Sequence, residues 1–103
     1  MKFRSKIDFK AINAAALAQL PALCAHWLPD GKRRGREYVA RNPRREDRRA
    51  GSFSVNLETG RWADFAIGVR GGDPIALLAY LSGLGQAAAA RRLAAMLGVR
   101  HER

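Results

Sequence analysis

Between residues 32 and 49 the chain sets nine basic side chains, Lys32, Arg33, Arg34, Arg36, Arg41, Arg44, Arg45, Arg48 and Arg49, against three acids, Glu37, Glu46 and Asp47. That local surplus of six is more than half of the net charge of +10 carried by all 103 residues. Guanidinium forks match phosphate oxygens in pairs, and an aromatic ring beside them can stack an unpaired base for about 1–3 kcal/mol. Tyr38, Phe53, Trp62 and Phe65 interleave with the run, and Arg61 and Arg70 extend it. The chemistry implied is noncovalent capture of a polyanion. The expected contacts are Lys32, Arg33, Arg34, Arg36, Arg41, Arg44, Arg45, Arg48, Arg49, Arg61 and Arg70, with Tyr38 and Trp62 as the stacking rings. A charged run can also be a merely solvated face, but so large a surplus on a compact sheet favours binding.

Little else in the chain could do chemistry. Asp30, Glu37, Glu46, Asp47, Glu58, Asp64 and Asp73 never form the close set of carboxylates that holds divalent ions for nucleotidyl transfer. Glu46-Asp47 is an adjacent pair, surrounded by arginines. His26 and His101 are far apart, and the single cysteine, Cys24, sits among Leu20, Leu23, Trp27 and Leu28 as a small buried hydrophobe would. Gly68-Val69-Arg70-Gly71-Gly72-Asp73 has the glycines of a phosphate-cradling loop before a helix start. It lacks the Lys-Ser/Thr ending of a nucleotide-binding loop, and Asp73 fills the cap itself, so a plain capped turn is the preferred reading. The sequence therefore predicts no catalytic residues, no metal and no cofactor.

The elements that must position these residues follow from periodicity. Ile12, Ala16, Leu20, Leu23, Cys24 and Trp27 recur at helical spacing, and Pro21 divides them into helices near 9–19 and 21–28. Residues 36–40, 52–57 and 61–66 read as three strands; the second alternates polar with apolar residues, and the third sets Trp62 on one face with Arg61, Ala63 and Phe65 on the other. Residues 44–50 read as an exposed basic loop. Asp73-Pro74 starts a helix that buries Ile75, Leu78, Ala79 and Leu81 and ends at Gly83; another runs from Gln86 to Leu97, burying Ala89, Leu93, Met96 and Leu97, and stops at Gly98. The length suits one domain over 1–103, with 1–8 and 99–103 as flexible tails. The expected fold class is α+β: a small antiparallel sheet of about three strands between N-terminal and C-terminal helices.

The order of these pieces carries a resemblance. Lys-Arg-Arg-Gly-Arg-Glu-Tyr-Val at 32–39, Pro43, Gly51-Ser52-Phe53-Ser54-Val55 and Gly71-Gly72-Asp73-Pro74-Ile75 precede a helix pair containing Leu81-Ser82-Gly83-Leu84 and Ala90-Arg91-Arg92-Leu93-Ala94. Over residues 21–99 this resembles the N-terminal zinc-binding domain of bacterial and phage DNA primases. The resemblance implies a zinc-ribbon-like sheet whose paired Cys or His ligands would fall at Asn42 and Arg45, and at Asp64 and Ile67 or Gly68. None of these can supply a thiolate, so the chain is similar to a zinc-free derivative of the kind that begins replication proteins of plasmids, phages and integrated elements.

Three functions compete. A nucleic-acid-binding module, favouring single-stranded DNA in replication or transfer of a mobile element, ranks first. An accessory subunit that binds or regulates a polymerase, helicase or primase ranks second, because an arginine face also suits an acidic protein. An enzyme ranks third. No apolar run approaches the roughly 20 residues that span a bilayer, and Asp8 and Lys10 interrupt any leader-like core, so a cytoplasmic location without membrane contact is expected.

Overall fold

In a computed structural model, the structure describes residues 6–44 and 52–102. The order is α1 (Phe9–Ala18), α2 (Leu20–Trp27), β1 (Lys32–Arg34), β2 (Glu37–Ala40), β3 (Phe53–Asn56), β4 (Trp62–Asp64), β5 (Val69–Gly71), α3 (Pro74–Ser82) and α4 (Gln86–Leu97). The chain is α+β as expected, but the described sheet has five strands rather than about three. They form an antiparallel meander in sequence order, β1-β2-β3-β4-β5.

The helices start and stop where local chemistry dictates. The Asp8 carboxylate accepts from the Ala11 N–H at 3.1 Å and opens α1. Pro21 sits in the first turn of α2, where its missing N–H costs nothing. The Asp73 carboxylate caps α3 by accepting from Ala76 N–H at 2.8 Å. Gly83 and Gly98 end α3 and α4 in the left-handed region, each at φ 67°, a conformation glycine adopts without steric cost.

Period-two burial defines the sheet's two faces. Tyr38, Ala40, Phe53, Val55, Leu57 and Trp62 join Ile12, Leu20, Leu23, Ile75, Leu77 and Leu93 in one apolar core. The alternate residues of β2, β3 and β4 turn away from the helices. Phe53 and Trp62 stack at 5.9 Å between ring centroids, and Tyr80 of α3 closes on Trp62 at 5.2 Å. Met96, expected in the core, is 42% exposed, because Ala90 and Ala94 supply the buried stripe of α4 alongside Ala89 and Leu93.

The two additional strands lie at the edges. β1 pairs with β2 in the register Lys32↔Val39, Arg33↔Tyr38 and Arg34↔Glu37, joined by the two-residue turn Gly35-Arg36. All three of its side chains are exposed, so no hydrophobic alternation marks it. β5 pairs with β4 in the register Trp62↔Gly71, Ala63↔Arg70 and Asp64↔Val69. The segments expected as tails meet each other: Ile7 bridges to Glu102, and Asp8 N–H donates to the His101 carbonyl at 2.9 Å. No helix among the described residues is long and apolar enough to cross a membrane.

Candidate nucleic-acid interface

The sheet face turned away from the helices holds a groove of about 570 Å³ lined by Glu37, Ser54, Asn56, Arg61, Phe65 and Arg70. Strand alternation explains the set. Trp62 and Asp64 point into the core, so Arg61, Ala63 and Phe65 must point out, and pairing with Ala63 carries Arg70 to the same face. Register places Lys32 and Arg34 on that face as well, opposite Val39 and Glu37. Four cations thus share one side of the sheet with a single carboxylate among its strand residues, Glu37, which accepts from Ser54 Oγ at 2.7 Å.

The remaining predicted contacts separate into other places. Arg33 and Arg36 border a different hollow beside Leu17 and Pro21. Arg36 lies 3.7 Å from Glu58, with both side chains exposed, a pairing that contributes little in water. Arg41 lies beside the end of α2, near Trp27 and Asp30. Arg44 is held by α3: Nη1 donates to the Tyr80 carbonyl at 3.0 Å, and the guanidinium sits 5.1 Å from that ring's centroid. Arg45, Arg48 and Arg49 lie outside the described residues.

The two rings expected to stack bases are core residues. Tyr38 is 6% exposed and donates its hydroxyl to the Leu28 carbonyl at 2.7 Å. Burial pushes its phenol pKa up, with Cys24 and Asp30 adding to the rise. Trp62 is 5% exposed and wedged against Phe53 and Tyr80. Its indole N–H is buried and finds no acceptor among the described residues. Both rings face inward because they occupy the phase of their strands that meets the helices. Of the four rings that interleave with the basic run, Phe65 is the exposed one, at 74%. Arg61 carried the signal for it: a face that bears an arginine cannot be the one packed under helices, so Phe65, which shares it, is in solvent.

A buried polar network lies at the end of this sheet. Asn42 Nδ2 donates to Asp64 Oδ2 at 2.9 Å and to the Tyr80 hydroxyl at 2.8 Å, while Asn42 Oδ1 accepts from Arg44 N–H. Asn42 is 1% and Asp64 0% exposed. These are the positions at which the resemblance puts the first ligand of each pair, and they are joined here by a hydrogen bond. Among the described residues no group of three or more His, Cys, Asp or Glu side chains could hold a metal ion.

The glycine-rich segment before α3 offers no free anion cradle. Pro74 has no N–H, Ile75 N–H donates to Asn13 Oδ1 at 3.0 Å, and Ala76 N–H is taken by Asp73. Cys24 is fully buried, which raises its thiol pKa from 9.0 to about 12 and suits it to packing rather than to nucleophilic chemistry. No protein-family model and no curated protein matches the chain.

Proposed function

We propose that this chain is a non-enzymatic, cytoplasmic nucleic-acid-binding module that holds single-stranded DNA on the open face of its sheet, in the replication or transfer of a mobile element. The observation that carries the reading is the uncovered groove that Arg61 and Arg70 line together with an exposed Phe65, with Lys32 and Arg34 on the same face. A single strand fits this arrangement because its bases are free to meet the ring while its phosphates meet the cations. The +10 net charge attracts the strand from a distance. The resemblance to a primase zinc-binding domain adds support.

Fluorescence anisotropy of a labelled oligonucleotide across salt concentrations tests the proposal. Four neutralised phosphates correspond to a log–log salt slope of roughly −3 for a single strand. An Arg61→Gln/Arg70→Gln variant should flatten that slope by about 1.4 units. An affinity that is undetectable at low ionic strength, or unchanged in the variant, would remove the groove from consideration. A second reading, an accessory subunit docked on a polymerase, helicase or primase, is favoured by the exposure of Met96 and Val99 beside Arg92 and Arg100. A purified complex that survives nuclease treatment would establish it.

A further inference from the structure

The turn between β4 and β5 is built unlike an ordinary surface turn. Turns favour Gly, Asn, Asp and Ser, yet this one projects Phe65 at 74% and Ile67 at 50% exposure, with Ala66 exposed between them. Neither large side chain contributes to the core. The backbone beneath them is nonetheless firmly held. Gly68 N–H donates to the Asp64 carbonyl at 2.9 Å, and Ala66 N–H donates to Asp64 Oδ1 at 2.9 Å. Phe65 N–H donates to the Ser52 carbonyl at 2.8 Å, which ties the turn to the start of β3. Asp64 is itself buried and bonded to Asn42, which reaches Tyr80 in α3. Two apolar groups are thus held in water on a mount anchored through the sheet to a helix.

Charge selects the occupant. Arg61 and Arg70 lie on the same sheet face as Phe65, and no carboxylate of the turn faces outward, since Asp64 points into the core. An apolar protein surface or a second copy of this strongly cationic chain would leave those arginines without partners. Nucleic acid satisfies both halves: phosphates for the arginines and base faces for the ring and the branched side chain. Phenylalanine and isoleucine are among the side chains that proteins insert between base steps.

Resting on the proposed binding of a single strand in the groove, we infer that the turn 65–68 is a wedge that stacks on the last base pair where a single strand emerges from a duplex. The groove would carry the emerging strand and the turn would meet the duplex end. The chain would then prefer a junction to a continuous single strand or to a blunt duplex.

The test uses the full chain and three DNA probes: a hairpin with a single-stranded overhang, a blunt hairpin, and a single strand as long as the overhang hairpin. Each hairpin carries 2-aminopurine at its terminal base pair, at the junction in the overhang hairpin. The expected result is binding to the overhang hairpin at least about five-fold tighter than to either other probe, from one ring stacked on a base. Fluorescence from 2-aminopurine should rise as its stacking partner changes. In a Phe65→Ser/Ile67→Ser variant, shown to be folded by circular dichroism, the junction and single-strand affinities should fall to within about two-fold of each other. Salt-dependent binding to all three probes without junction preference, or a preference that the variant keeps, overturns the wedge and leaves the groove standing. Absence of DNA binding overturns both. Self-association of the wild type that the variant abolishes assigns the turn to a second copy instead.

Discussion

Replacing Gly71 with alanine tests how tightly the floor of the groove is coupled to the core. Gly71 pairs with Trp62, and the indole ring lies across it. A methyl group there would stand 2.5 Å from Cε2 and 2.6 Å from Nε1, well inside contact distance. The ring has no easy retreat, because Phe53 and Tyr80 hold it from other sides. Gly71 is not among the glycines with positive φ, so the backbone tolerates alanine and the penalty is purely steric. Overpacking of this kind costs about 1–3 kcal/mol. The reduced freedom of the unfolded chain returns about 0.4–1 kcal/mol. A net destabilisation of about 1–2 kcal/mol follows, or roughly 5–15 °C in Tm for a domain of this size. Gly72→Ala is the control, since nothing lies within 4 Å of its added methyl; it should be neutral or slightly stabilising. Urea denaturation followed by far-UV circular dichroism measures both. Combining Gly71→Ala with Trp62→Phe should recover part of the loss as positive coupling in a double-mutant cycle. Equal stability of the two alanine variants, or a cycle with no coupling, would refute the packing argument.

Asn42→Ala should cost about 2–3 kcal/mol, because it removes a buried donor bond to Asp64 and a partly buried one to the Tyr80 hydroxyl; denaturation midpoints at constant m-value would report it. Tyr80→Phe, which removes the hydroxyl alone, should cost about 1 kcal/mol by the same measurement. Thermal melts with and without a chelator should coincide, whereas a structural zinc site would contribute more than about 10 kcal/mol of folding energy and collapse on chelation. The raised pKa of Cys24 sets an alkaline limit. Below pH 9 the thiol is protonated in both folded and unfolded chains and has no effect on the balance; between 9.0 and about 12 the unfolded chain ionises first, and roughly 4 kcal/mol of stability is lost across that window. Cys24→Ala should lessen that loss in denaturation series run at pH 8 and pH 11.

Helix boundaries were legible because single residues set them: Pro21, Asp73, Gly83 and Gly98 each act through their own backbone chemistry. Strands β2, β3 and β4 were legible because each alternates between core and solvent. The edge strands were not. Lys32, Arg33 and Arg34 bury nothing, so β1 exists only through its ladder to β2. β5 offers Val69, Arg70 and Gly71, a triplet that reads as loop until the Trp62 ring is seen to need the absent side chain at Gly71. The basic character of the site was plain in composition, but its assignment to faces required knowing which phase of β4 met the helices. Trp62 and Phe65 fall on opposite faces, and the arginine on Phe65's face marks that face as the one open to solvent. The contacts from Asn42 to Asp64 and Tyr80 span 22 and 38 residues, distances at which local pattern carries no information.

The meander also shapes how the chain can assemble. Every strand pairs with its immediate successor, so the ladder from β1 to β4 can zip from short hairpins with small loop-closure costs, apart from the β2–β3 connection. The helical layer is different. α1 packs against α3 and α4 at the other end of the chain, and Asn13 waits for the Ile75 N–H. During synthesis α1 is made before the two helices it packs against. Its buried residues Ile12 and Ala16 therefore stay uncovered until α3 and α4 have been made, and the order of events should be sheet first, helices afterwards.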